Sequence, residues 1–258
     1  MTIRNLCIVQ ARVGSTRLPG KVLKDLCGRS VLERVIARAS AARSLSEVTV
    51  VTGTGPENLP IVKLCSVLGI RVFCGSESDV LDRFYQFAKL IRPDNIVRIT
   101  ADCPLIDPRV IDLVVKAHAA SGADYTTNTA PPTFPDGEDV EVFTFPALEK
   151  AWCKAVLPSE REHVTPFIRN HSRIFRLHSV KNKVDLSGKR WTLDDPKDFK
   201  FISAVYRALG SRGLFGMAEI LALLKKRPGL EKLNSGIARN QGYKKSLRED
   251  GSRGPVKK

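Results

Sequence analysis

Leu6-Cys-Ile-Val-Gln10 runs straight into Ala11-Arg-Val-Gly-Ser-Thr-Arg-Leu-Pro-Gly-Lys21. The first segment is a short apolar run that reads as a buried strand, and the second is a loop punctuated by Gly and Pro. In an open parallel sheet, ligands bind beyond the carboxyl ends of the strands, which is where this loop falls. The chain beyond it keeps one rhythm. Ser30-Val-Leu-Glu33 is a capping box that opens a helix to about Ala42. Val48 to Thr52 is a β-branched strand, and Pro60 to Leu68 is a helix closed by Gly69. Val72 and Phe73 form a short strand, Ser78 caps a helix reaching Leu90, and Asn95 to Thr100 is another strand. Asp107-Pro108 starts a helix that Gly122 ends. Strands alternating with helices predict an α/β fold, a mainly parallel sheet covered by helices.

The second half is less regular. Asp139 to Phe145, Ile174 to Val180 and Arg190 to Leu193 read as strands, with helices starting at Pro146, Pro158 and Pro196. The expected organisation is an α/β domain over residues 1–210, followed by a C-terminal helix and basic tail over 211–258.

Composition narrows the class. The 258 residues are 43% hydrophobic and 27% charged, a globular balance. The most apolar candidate span, Leu214 to Leu224, is short and carries Glu219, which excludes an integral membrane protein. The N-terminus has no signal-peptide layout, and the six cysteines include no C-x-x-C pair. Free thiols in a reducing cytoplasm are therefore expected, without a structural zinc site. The net charge of +15 is concentrated toward the end, where residues 217–258 hold 11 Lys/Arg against 4 Asp/Glu. That stretch is read as a loosely held, solvated tail. Nucleic-acid binding is disfavoured because only Tyr243 interrupts its charges, and charge alone carries no specificity.

Three segments carry unusual chemistry. The loop after the first strand gathers Arg12, Arg17 and Lys21 around Gly14, Gly20, Ser15 and Thr16. Glycine lets backbone amides approach phosphate oxygens closely, and the cations neutralise them. It is not a Walker A loop, because Gly14 stands six residues before Gly20 and Val22 replaces the Ser/Thr. In the second, Arg98-Ile-Thr-Ala-Asp102-Cys-Pro104, an acid follows a strand where it can hold a divalent cation. The third, Trp191-Thr-Leu-Asp194-Asp195-Pro196, repeats strand then acid; Asp195 suits the helix cap, which leaves Asp194 for chemistry. Two carboxylates beside a cationic phosphate loop point to metal-assisted phosphoryl or nucleotidyl transfer.

The run Ile8 to Lys21 resembles the opening signature of sugar-acid cytidylyltransferases, such as CMP-Kdo synthetase and acylneuraminate cytidylyltransferase. It is more similar still to the spore coat polysaccharide biosynthesis protein F group of that family. The likeness extends through Gly75 to Arg83, Arg98 to Asp107, Asp136 to Phe143, Pro158 to Pro166, Arg190 to Asp194 and Gln241 to Asp250. The resemblance implies a nucleotide-diphospho-sugar transferase (GT-A-like) fold, CTP and Mg²⁺ as nucleotide and cofactor, an anionic sugar acceptor, and a homodimer. It assigns Arg12 and Lys21 to the triphosphate and catalysis. Ala11, Gly14, Ser15 and Asp102 fall among the nucleotide-binding positions, and Asp102 and Asp194 match the metal ligands. Ala101 departs from it, standing where such proteins often carry Gly. Arg161, Glu162 and His163 share a helix start and are candidate contacts to the sugar carboxylate. The alternatives are a glycosyltransferase on the same fold and a basic nucleic-acid-binding protein.

Overall fold

A computed structural model describes residues 3–253. Its seven strands are β1 (Asn5–Gln10), β2 (Glu47–Gly53), β3 (Val72–Gly75), β4 (Asn95–Thr100), β5 (Tyr125–Thr127), β6 (Glu141–Thr144) and β7 (Leu177–Ser179). They form one sheet in the order β3-β2-β1-β4-β6-β5-β7. All neighbours from β3 to β4 run parallel, and β6 is the antiparallel strand between β4 and β5. The central strands β1 and β2 are buried along nearly their whole length because helices cover both faces, as expected of parallel pairing, while the edge strand β3 is only partly buried.

The first helices are α1 (Val31–Ser40), α2 (Leu59–Val67), α3 (Val80–Ile91), α4 (Pro108–Ser121) and α5 (Phe145–Lys154). They are followed by α6 (Pro158–His163), α7 (Pro166–Asn170), α8 (Pro196–Leu209), α9 (Met217–Lys226) and α10 (Gln241–Arg253). Local signals set their ends. Ser30 Oγ accepts from Glu33 N at 3.2 Å while Glu33 Oε2 accepts from Ser30 N at 2.6 Å, the full capping box. Gly122 closes α4 at φ 59°, and Asp107 caps its start. Asp79, rather than Ser78, caps α3, its carboxylate accepting from Asp82 N.

Two apolar clusters lie on opposite faces of the sheet. One packs Val9, Val50 and Val97 against α1 and α4, and the other packs Leu6, Ile8 and Ile96 against α3, α5 and α7. A third joins Leu26, Trp191 and Leu193 to Phe201 and Ile202 of α8 and Ile220 of α9. Each fully buried side chain of this kind contributes about 1.5–3 kcal/mol. Arg38 locks these layers together. Buried on α1, it donates to Leu105 O, Ile106 O and Phe215 O at 3.1, 2.6 and 2.6 Å.

Two further sequence expectations need correction. Arg190 to Leu193 is not a strand; the segment makes a single bridge, between Asp136 and Arg190. It is held instead by Gly137, whose φ of 110° suits glycine. A Cβ there would meet Trp191 C at 2.6 Å and Thr192 N at 2.7 Å. Over the described residues the basic end is not a loose tail either, since α10 packs along α6 and joins the wall of the cleft described next, and residues 254–258 lie outside the described residues.

Candidate functional site

A cleft of about 830 Å³ lies beyond the carboxyl ends of β1 and β4. Its floor begins with the loop after β1. Ala11 is buried and donates to Val51 O, so it anchors the loop behind the cleft wall. Val13 N donates to Asn58 Oδ1 at 3.0 Å, and Gly20 N reaches back to Val13 O at 3.3 Å. Gly20 at φ 64° makes this reversal and delivers Lys21 onto a one-turn 3₁₀ helix. Arg12, Gly14, Ser15, Thr16, Arg17 and Lys21 then line the cleft.

Lys21 is the hub. Its ammonium donates to Asp102 Oδ2 at 2.7 Å, Asp194 Oδ1 at 2.8 Å and Leu193 O at 3.0 Å. Burial alone would lower the Lys21 pKa, but the two carboxylates more than offset it and hold the ammonium above its ordinary value. Burial would likewise raise Asp102; the Lys21 charge and hydrogen bond, with help from Thr100, instead hold its carboxyl at about 2. Both aspartates follow from local structure. Asp102 leaves the end of β4, and Asp195 caps α8 through Lys197 N at 3.0 Å, which turns Asp194 toward Lys21.

Arg190 braces that arrangement from below. Largely buried, it contacts Asp136 at 2.9 Å, Asp198 at 2.8 Å and Asp194 at 3.4 Å. Asp198 also accepts the backbone N–H groups of Asp194 and Asp195, both at 3.0 Å. Farther along the cleft Arg98 pairs with Glu141, which also accepts from Thr165 and the Tyr125 hydroxyl. Asp139 pairs with Arg239 at 2.5 Å, yet burial pushes its carboxyl up to about 7.

The α6 cluster divides. Glu162 and His163 line the cleft. Arg161 does not: it is buried against α3, donating to Asp79 Oδ2 and Trp152 O, so it is a structural clamp and not an acceptor contact. His163 Nε2 lies 2.9 Å from Ser246 Oγ, which donates to Glu162 Oε2 at 2.8 Å. Burial, aided by the surrounding arginines, pushes His163 down to about 4, so it is neutral near neutrality. Between His163 and Thr165 the chain makes a tight γ-turn. Thr165 N donates to His163 O at 2.8 Å around Val164, at φ 71° and ψ −56°. A buried β-branched residue in that region is strained, and the turn sends Val164 into the core while both flanking residues face the cleft.

A family model for cytidylyltransferases matches residues 6–212. The chain belongs to the cytidylyltransferase family. This cytidylyltransferase relative is 38% identical to an uncharacterized protein of Methanocaldococcus jannaschii, over 92% of this chain and 96% of that one. It is 32% identical to the spore coat polysaccharide biosynthesis protein SpsF of Bacillus subtilis, over 86% of this chain and 95% of that one. Among solved structures, a cytidylyltransferase from Leptospira borgpetersenii superposes with a TM-score of 0.83 at 30% identity, covering 93% of this chain and all of that one. A CMP-2-keto-3-deoxy-manno-octonic acid synthetase complexed with CTP shares the fold at a TM-score of 0.62 and 17% identity, covering 80% and 99% of the two chains. The architecture is thus the nucleotide-diphospho-sugar transferase fold, and the protein is a nucleotidyltransferase by family.

In this cytidylyltransferase the residues that could hold a hard cation are Asp102 and Asp194. Their oxygens converge on one point, the Lys21 ammonium, and Asp102 is ionised across the working pH range. Among the described residues no set of three or more His, Cys, Asp or Glu forms a cage. Two carboxylates, completed by phosphate oxygens and water, would suit Mg²⁺, an ion proteins usually hold through one or two carboxylates together with substrate phosphates. Ala101 packs in the core behind Asp102. Asp136, Asp139, Glu141, Arg169 and Arg190 also line the cleft, and none of them is among the site residues expected from the sequence. One available signal was Arg98, a cation inside an otherwise apolar strand.

Proposed function

We propose that the protein transfers CMP from CTP to a hydroxyl of an anionic sugar of the ulosonic or nonulosonic acid type, releasing pyrophosphate, in the synthesis of a cell-surface polysaccharide. The observation that carries this reading is the Lys21 ammonium held between Asp102 and Asp194 at the floor of the cleft. The likeness to a spore coat polysaccharide protein and to 3-deoxy-manno-octulosonate cytidylyltransferases supports the class of acceptor.

In the reaction an acceptor oxygen attacks the α-phosphorus. The new P–O bond forms as the bond to the α,β-bridging oxygen breaks, pyrophosphate departs, and the hydroxyl proton leaves to solvent. Lys21 and Arg12 neutralise the charge that grows on the departing pyrophosphate, and the amides around Gly14 and Ser15 face the phosphates. Arg190 and Asp198 keep Asp194 in place while Lys21 exchanges its carboxylate partners for phosphate. Mg²⁺ held by Asp102 and Asp194 would supply charge neutralisation and orient the triphosphate.

The test is pyrophosphate release with each of CTP, UTP, ATP and GTP and a sugar acid. CTP should be preferred. Lys21→Ala should lower kcat/KM roughly 10- to 100-fold, the worth of a charge-assisted contact. Asp102→Asn and Asp194→Asn should fold normally and lose most metal-dependent turnover. Preference for another nucleotide, or an unaltered Lys21→Ala, would overturn the reading.

A further inference from the structure

The C-terminal helix α10 lies beyond residues 6–212, the span matched by the family model, yet it forms one wall of the cleft. At one end Gln241 Oε1 accepts from Arg17 of the phosphate loop at 2.8 Å. At the other, Asp250 accepts from Ser159 N and Ser159 Oγ at 2.8 and 2.6 Å, and Ser246 bonds His163 and Glu162. The helix therefore bridges the phosphate loop and α6.

Between these anchors lies Tyr243. Its ring meets His163 edge-on at 5.1 Å, and the Arg169 guanidinium stacks over its face, Cζ 4.4 Å from the centroid. Every other cation lining the cleft has a carboxylate oxygen within 4.0 Å, from Lys21 between Asp102 and Asp194 to Lys245 on Glu249. Among the described residues Arg169 has none. Its side-chain hydrogen-bond partner is Tyr243 itself, and Glu141 attracts it only from farther away. A guanidinium stacked on an aromatic ring still presents N–H groups along its edge, and these match a planar carboxylate. The triphosphate belongs at the Lys21 loop, so this cation faces the remaining length of the cleft.

We propose that α10 completes the acceptor end of the site, with Tyr243 a positioning residue that holds the Arg169 guanidinium edge-on to the carboxylate of the sugar acid. The inference rests on the sugar-acid reading given above.

The experiment measures pyrophosphate release by the full-length chain with CTP and Mg²⁺, using 3-deoxy-manno-octulosonate and N-acetylneuraminate as probe acceptors. Tyr243→Ala should raise the KM for the probe about ten-fold or more, the loss expected when a charge-assisted contact is misaligned. Its kcat and its KM for CTP should stay within about three-fold of wild type. Tyr243→Phe keeps the ring face and loses only the hydroxyl's bond to Arg169, so its probe KM should stay well below that of Tyr243→Ala. Arg169→Lys keeps the charge but loses the fork, and should match Tyr243→Ala; it carries the test if Tyr243→Ala fails to fold. Unchanged probe KM in Tyr243→Ala and Arg169→Lys would overturn the proposal, as would a loss that falls on the CTP KM instead. A wild-type chain that binds CTP but turns over neither probe would remove the underlying acceptor reading, and the proposal with it.

Discussion

Arg161 and Arg169 sit on successive helices of one short stretch, yet their surroundings give them opposite work. Arg161 is 5% exposed, its guanidinium spent on Asp79 and on Trp152 O. Removing one partner of a buried pair costs about 3–5 kcal/mol, because the other charge is left without compensation. Arg161→Ala should therefore lower the melting temperature by roughly 10 °C, at about 2–4 °C per kcal/mol in a chain of this size. CTP affinity should be unchanged. Calorimetry and nucleotide titration check both, and lost nucleotide binding at an unaltered melting temperature would contradict it. The sequence shows Arg161, Glu162 and His163 together at a helix start, but successive helical residues do not share a face. Which of the three turns inward depends on where Asp79 lies, and that is tertiary information. The Val164 turn is equally hidden, since nothing in His163-Val-Thr165 asks for a positive φ.

Among the elements, the phosphate loop is legible because its chemistry is contiguous: strand, glycine, hydroxyls and cations follow one another. Asp102 is legible for the same reason. The Arg190 to Leu193 segment is misread because its β-like pattern reflects burial of Trp191 and Leu193 against α8, not pairing in the sheet. His118 shows how α4 is tied to the strands. Its Nε2–H donates to Asn95 Oδ1 of β4 at 3.2 Å, and its Nδ1 accepts from the Thr126 hydroxyl of β5 at 2.9 Å. Burial pushes it from 6.5 down to about 4. The unfolded chain binds the proton first, so stability is full above about pH 6.5 and falls as pH drops toward 4, by ~3 kcal/mol at most. Urea unfolding across that window should show the slope, and His118→Gln should flatten it relative to wild type. Equal slopes in the two proteins would refute the assignment.

The whole molecule carries a net charge of +15, but the cleft does not share the excess: seven Lys/Arg and seven Asp/Glu line it. Long-range attraction for anions is thus a property of the body, while selection happens in a locally balanced pocket. The basic end of the chain could not be placed from sequence, because its partners lie far away along the chain, from Arg17 to Glu162. Its attachment is also different in kind from the rest of the fold. Over Gln241 to Asp250 only Ser246 is buried, and α10 is held chiefly by polar bonds, with Leu247 left exposed. Local opening is easiest where little apolar surface is buried, and the amides that open most often exchange their hydrogens soonest. The backbone amides of α10 should therefore exchange well before those of α8, whose apolar face is in the core. A sugar acid bound with CTP should slow α10 and leave α8 unchanged, which mass-resolved exchange can follow peptide by peptide. Equal protection of the two helices would mean the wall is as permanent as the sheet. With the expected pattern, the acceptor end has a doorway whose frequency of opening is set by a few hydrogen bonds, and the cytidylyl donor and its acceptor need not enter by the same route.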